Sequence, residues 1–144
     1  MTLYKPDLAN RIEDDINGMA DNFDDLDPAV VERDSNSNGY YEKYADGTLK
    51  CWKFPHELTY SATSRLRGVW TFPHAFHAAP GVIVSGCGTT TTYTPLSTMI
   101  SKVYAGPPGT TSVNIDMTRI NGMTDFDAAD TFDTMVMAIG RWTA

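Results

Sequence analysis

Two hydrophobic periods divide the chain. From Ala9 onward, apolar residues fall at Ile12, Ile16, Met19, Phe23 and Leu26, spaced alternately by four and three. That heptad spacing predicts an amphipathic helix. Pro6 suits its first turn, and Asp27-Pro28 stops it. Three heptads make a rod of roughly 30 Å at about 1.5 Å per residue. From Gly39 the period changes to two. Strands are predicted over Tyr40–Tyr44 and Thr48–Phe54, joined at Asp46-Gly47, where Gly accepts a positive φ and Asp bonds its own backbone.

The same alternation continues to the end. Val69–Phe72 is short and is ended by Pro73. Val82–Cys87 is nearly all apolar or small, the pattern of a central strand covered on both faces. Ser97–Tyr104 follows a break at Pro95. Val113, Ile115 and Met117 alternate with Asn114, Asp116 and Thr118, which predicts a half-buried strand. Thr134–Arg141 closes the series, and turn signals such as Gly106-Pro107-Pro108-Gly109 and Asn121-Gly122 separate the strands. Six or seven short strands with no helical stretch among them imply an antiparallel β-sandwich. The stretch Ala29–Asn38 is rich in Ser, Asn and Asp and reads as a linker. The expected organisation is mainly β: a helical arm over residues 1–28, a linker over 29–38 and a β-sandwich domain over 39–144.

A helix of this length with Gly18 inside it is marginal alone, so its seam needs a partner. One reading lays the helix on its own domain. The favoured reading makes it a stalk or docking arm with Ile12, Ile16, Met19, Phe23 and Leu26 as its seam, which would be the seam of a parallel homotrimer if the chain associates in threes. Charge sharpens the division. Of the formal net charge of −7, all lies in residues 1–34, which hold three basic and ten acidic groups. The remainder is neutral. No basic face is available to displace phosphate counterions, which argues against nucleic acid as a partner. A basic protein surface suits residues 1–34. No apolar run approaches the roughly 20 residues of a membrane span, and the acidic N-terminal stretch does not read as a secretion signal. Cys51 and Cys87 lack metal spacing and read as buried thiols made in a reducing cytoplasm, a disulfide being the lesser alternative.

No catalytic set emerges. The serines lack a G-x-S-x-G context. His74 and His77, spaced HAFH with no Glu nearby, are weak metal candidates. So are Asp125 and Asp127 in the acidic loop that continues to Asp130 and Asp133, because the loop lacks the Gly and closing Glu of an EF-hand. No cofactor is expected. A small glycan-degrading enzyme is the weakest reading, since depolymerisation needs a carboxylate pair across a groove. Trp52 and Trp142 are assigned mostly to the core. The run Thr89–Thr94 carries an aromatic ring among hydroxyls, which suits stacking and adaptable hydrogen bonding. Thr91, Thr92 and Tyr93, with Tyr104, are therefore the candidate glycan-binding residues, against the plainer reading of a Thr-rich strand edge.

The hairpin SNGYYEKYADGTLKCW over Ser37–Trp52, taken with the closing AIGRW over Ala138–Trp142, resembles the C-terminal domain of bacteriophage tail fibres. Phe72-Pro73, Phe76, Pro80 ahead of Val82–Val84, and the final Met137–Gly140 strand also resemble H-type lectins. That second resemblance implies a six-stranded sandwich, association in threes and sugar clefts between subunits. Together they imply a homotrimeric virion protein, assembled in the host cytoplasm, that joins other virion proteins through residues 1–34 and contacts host-surface glycans. A head or tail decoration trimer with no ligand is the alternative.

Overall fold

In a computed structural model of the chain, residues 29–86, 101–120 and 125–144 are described. The expected helical arm and its seam residues Ile12, Ile16, Met19, Phe23 and Leu26 lie outside them. The described residues form eight antiparallel strands: β1 Val30–Asn36, β2 Gly39–Tyr44, β3 Thr48–Ala62, β4 Arg65–Thr71, β5 Gly81–Gly86, β6 Ser101–Ala105, β7 Ser112–Arg119 and β8 Thr131–Arg141.

One strand organises the rest. β3 is 15 residues long and carries β8 along one edge, from Thr48↔Arg141 to Thr59↔Thr131. Its other edge is shared. β2 pairs with Leu49–Trp52, and β4 with Thr59–Ala62. Outward from these, β1 flanks β2, β5 flanks β8, and β7 then β6 follow β4.

Alternation along β3 changes parity halfway. Leu49 and Cys51 are buried before the change, and His56 and Leu58 after it. The cause is a bulge: Lys53 pairs Val136 but His56 pairs Thr134, so β3 spends one residue more than its neighbour. An extra residue swaps the faces of everything beyond it and bends the strand. β8 has no such insertion and keeps Phe132, Thr134, Val136 and Ala138 buried throughout. The bulge thus lets Cys51↔Ala138 and Leu58↔Phe132 both face one core. That core joins Tyr41, Leu49 and Cys51 of one half to Leu66, Trp70, Val113, Ile115 and Met117 of the other. Trp70, Phe72 and Phe76 pack edge to face with centroids 5.0 Å apart, a favoured aromatic geometry.

The motif at the two ends of the domain brings the closing strand onto the first hairpin. Gly47 has φ +86° in the β2–β3 turn, and Asp46 Oδ1 accepts the Thr48 N–H at 2.7 Å. The closing strand lies beside that hairpin: the Trp142 N–H donates to the Gly47 carbonyl and its indole Nε1–H to the Tyr44 carbonyl. Gly140 is required by close approach, because a Cβ there would meet the Phe76 ring at 2.9 Å and Pro80 at 3.1 Å.

Four sequence expectations change. Val30–Asn36, within the expected linker, is strand β1 and raises the count to eight. Every residue of it is exposed, as a polar edge strand permits, and it is held by the β2 ladder with the Arg33–Glu42 and Lys43–Glu32 ion pairs. The Val82–Cys87 segment is not a central strand: among the described residues β5 pairs with β8 alone. Its continuous apolarity has another source, since Val82 and Val84 pack on the core while Ile83 faces outward. β4 begins at Arg65, four residues before the expected start. Trp52 is not a core residue. It is half-buried on the outer face and stacked on Tyr40 with centroids 5.8 Å apart, and Trp70 is the tryptophan at the centre.

Candidate functional site

Because β3 bends, the sheet presents two outward faces of different chemistry. On the half built by β4, β7 and β6, the inward positions are Leu66, Trp70, Val113, Ile115 and Met117. The outward positions line up by register as Arg65–Thr118–Lys102 in one row and Arg67–Asp116–Tyr104 in the next. Asp116 is only 3% exposed although it points away from the core. Arg67 covers it with a two-pronged pair, Nε to Oδ1 at 2.6 Å and Nη2 to Oδ2 at 2.8 Å. This geometry is the strong form of a guanidinium–carboxylate contact, and its hydrogen bonds raise the Arg67 pKa further above its ordinary value.

Arg65 is less committed. Its Nε is buried, lies 3.9 Å from Asp116 Oδ1 and makes no hydrogen bond, while Nη2 reaches Ser61 Oγ at 3.4 Å. Lys102 Nζ lies 5.4 Å from the centre of the Tyr104 ring. Three cations, one carboxylate, a phenol ring and the Thr118 hydroxyl therefore share one small surface.

The second outward face belongs to β2, β3, β8 and β5. Tyr40, Trp52, Met137 and Ile83 follow one another in register across the four strands. Met135 and Ile139 flank Met137 on β8. Ile83 is 63% and Tyr40 54% exposed, and Met135 and Ile139 are also open. The nearby cations are engaged: Arg33 with Glu42, Lys43 with Glu32, and Lys50 with the Tyr44 hydroxyl.

The sequence candidates are distributed as follows. Thr91, Thr92 and Tyr93 lie outside the described residues. Tyr104 is on β6, half-buried within the cationic cluster. His74 bonds the Ala75 carbonyl through Nδ1 and sits 5.2 Å from the Tyr41 ring, while His77 is exposed and fixed by its backbone N–H to Arg141. Asp125 pairs with Arg119 at 2.7 Å. Asp127 Oδ1 accepts the Ala129 N–H, and Asp130 Oδ2 accepts the Asp127 N–H. These two loop carboxylates are thus occupied in shaping a turn. Among the described residues no group of three His, Cys, Asp or Glu side chains could hold a metal ion. Cys51 is a free thiol whose pKa burial pushes up to about 12, so it is inert at neutral pH.

Sequence reasoning placed Asp116 on the outer face but missed its burial and its partner. Arg65 and Arg67 at period two in SRLRGVW were the available signal, since that spacing puts two cations on one strand face.

No family model matches the chain, and no curated protein matches it. Solved structures do. An N-truncated R1-type pyocin tail fibre superimposes with TM-score 0.53 at 19% identity, over 96% of this chain and 99% of that one. The P. aeruginosa R1 pyocin fibre comprising C-terminal residues 323–701 gives TM-score 0.53 at 22% identity, over 78% of this chain. The match spans 29% of that longer fibre chain. A tailspike protein of Pseudomonas phage LKA1 is more distant, with TM-score 0.45 at 16% identity. The chain has a tail-fibre-like fold.

Proposed function

We propose that this chain is the receptor-binding part of a phage-like tail fibre, that it works as a homotrimer, and that its β domain contacts host-surface glycans. The observation that carries this reading is the fold likeness to the N-truncated pyocin tail fibre across nearly the whole of both chains. The apolar outer face of β2, β3, β8 and β5 supports self-association. Contiguous exposed apolar surface marks an interface, and Arg33 and Lys43 beside it are already paired with Glu42 and Glu32, which suits a second copy of the same face better than the acidic residues 1–34. Those residues attach the trimer to the particle. The protein acts by binding, without catalysis.

Light scattering on the full chain tests association, with three times 15.9 kDa expected. Adsorption of the purified protein to host cells, before and after enzymatic removal of surface glycans, tests the ligand. A monomer at micromolar concentration overturns the trimer. A trimer that adsorbs to no cell leaves the ligand-free decoration reading in its place.

A further inference from the structure

We infer that the outward face of β4, β7 and β6 binds a saccharide carrying a carboxylate, with Arg65 and Lys102 as the charge-recognising groups and Tyr104 as the stacking platform. The inference rests on the glycan-binding reading above and names the class of sugar and its place.

The argument begins with an unequal pair. Arg67 and Arg65 stand two residues apart on one strand face beside a single acid, Asp116. Arg67 takes both carboxylate oxygens. Arg65 is left with its Nε buried and without a hydrogen bond. That Nε faces Asp116 at 3.9 Å and is closed to a ligand, but the side chain is 36% exposed, so an incoming carboxylate would meet the open part of the guanidinium through charge-assisted hydrogen bonds. Lys102 adds a second charge from the neighbouring side. Arg65, Thr118 and Lys102 lie in register on three adjacent strands, so the two cations stand about 10 Å apart at roughly 4.8 Å per strand. Tyr104 is one row further on, about 7 Å along the strands. That spacing fits one or two pyranose rings lying across β7, with the acid group toward Arg65, a ring face over Tyr104 and the Thr118 hydroxyl beneath. With Asp116 neutralised by Arg67, Arg65 and Lys102 give the cluster a surplus of two positive charges, within a chain whose net charge is −7. A flat sheet face encloses little of a ligand, so each site is weak, and three linked sites raise the avidity by roughly 10²–10⁴ where geometry permits.

The probe is tetragalacturonate, with its carboxyl-reduced neutral counterpart beside it, titrated calorimetrically into the full-length protein at low salt. The wild type is expected to bind the acid form at least tenfold more tightly than the neutral one. Arg65→Gln and Lys102→Gln are each expected to weaken acid binding about tenfold, the size of one lost charge-assisted hydrogen bond. Lys102 lies outside the Arg67–Asp116 pair and Arg65 approaches Asp116 only at 3.9 Å, so melting temperatures close to wild type check that the fold is kept. Arg33→Gln removes the same charge from β1 and is expected to leave binding intact. Equal affinity for the two oligosaccharides overturns the carboxylate requirement. Equal weakening by Arg33→Gln overturns the site, because it shows attraction by general charge. Absence of tetragalacturonate binding also overturns it. Glycan-dependent adsorption of the Arg65→Gln and Lys102→Gln proteins to cells is read separately: if it persists, glycan binding stands and only this site falls.

Discussion

The two outward faces of the sheet arise from the same alternation and finish as opposites. Over β2, β3, β8 and β5 the row Tyr40–Trp52–Met137–Ile83, with Met135 and Ile139, is large and apolar and reaches solvent. Over β4, β7 and β6 the rows of Arg65 and Arg67 are charged, and the one acid among them is drawn under its neighbours. Apolar side chains left in water contribute nothing to the folded state of the single chain, so their register across four strands makes sense for an assembled state. A sunken carboxylate costs desolvation and is tolerable only with excellent pairing. What it gains is a fixed orientation for the arginines above it. In the function proposed above, one face meets a second copy of the chain and the other a saccharide.

The largest expected effect breaks the apolar face. Met137→Asp places a charge at the centre of the Tyr40–Trp52–Met137–Ile83 row, where side chains reach solvent in the single chain. The fold should survive, and light scattering should give 15.9 kDa in place of three times that mass. The same kind of change at exposed Thr59, beside Arg67 on the other face, should leave the mass unaltered. Next comes the buried acid. Asp116→Asn keeps the shape but strips Arg67 of its partner. A loss of about 2 kcal/mol in urea unfolding is expected, with no change in mass.

A smaller effect probes the joint between the faces. His56 sits just past the β3 bulge, buried, with Nε2 lacking a hydrogen bond. Burial first, and then the charge of Lys53, hold its pKa below the ordinary 6.5. The unfolded chain therefore takes up a proton near pH 6.5 that the folded chain refuses, and stability falls as the pH drops through that region. Melting between pH 7.5 and 5 should show a decline of a few degrees that is shallower in His56→Gln. The smallest effect is at the sheet edge. Arg33→Ala removes an ion pair whose arginine side chain is 69% exposed, and calorimetry should find a change within about 0.5 kcal/mol.

Much of this architecture was legible in the residues. The Asp46-Gly47 hairpin and the β7 alternation follow from local chemistry, and both form as the pattern implies. The β3 bulge was hidden, because a parity change between Cys51 and His56 reads as a loss of pattern until β8 supplies the unbroken register. β1 was missed because an edge strand exposed on both faces has no hydrophobic period to show. The apolar face misled in the opposite sense, since Ile83 between Val82 and Val84 imitates a buried strand. Of the cluster on β4, β7 and β6, the sequence singled out Tyr104 as a candidate and not Arg65, Arg67 or Lys102. The pairing of Arg67 with Asp116 joins residues 49 apart, and no local pattern carries that distance.

The position of β8 has a consequence in time. It is the strand against which β3 lies for its whole length, yet the hydrogen bond from Trp142 to Tyr44 spans 98 residues. At a synthesis rate of about 5–20 residues per second, the long edge of β3 waits roughly 5–20 s for its neighbour. During that interval the edge of β3 that β8 will cover stays open, and an unpaired strand edge is a template for pairing with another chain. The long edge of β3 is therefore completed only once β8, the last strand among the described residues, has been made.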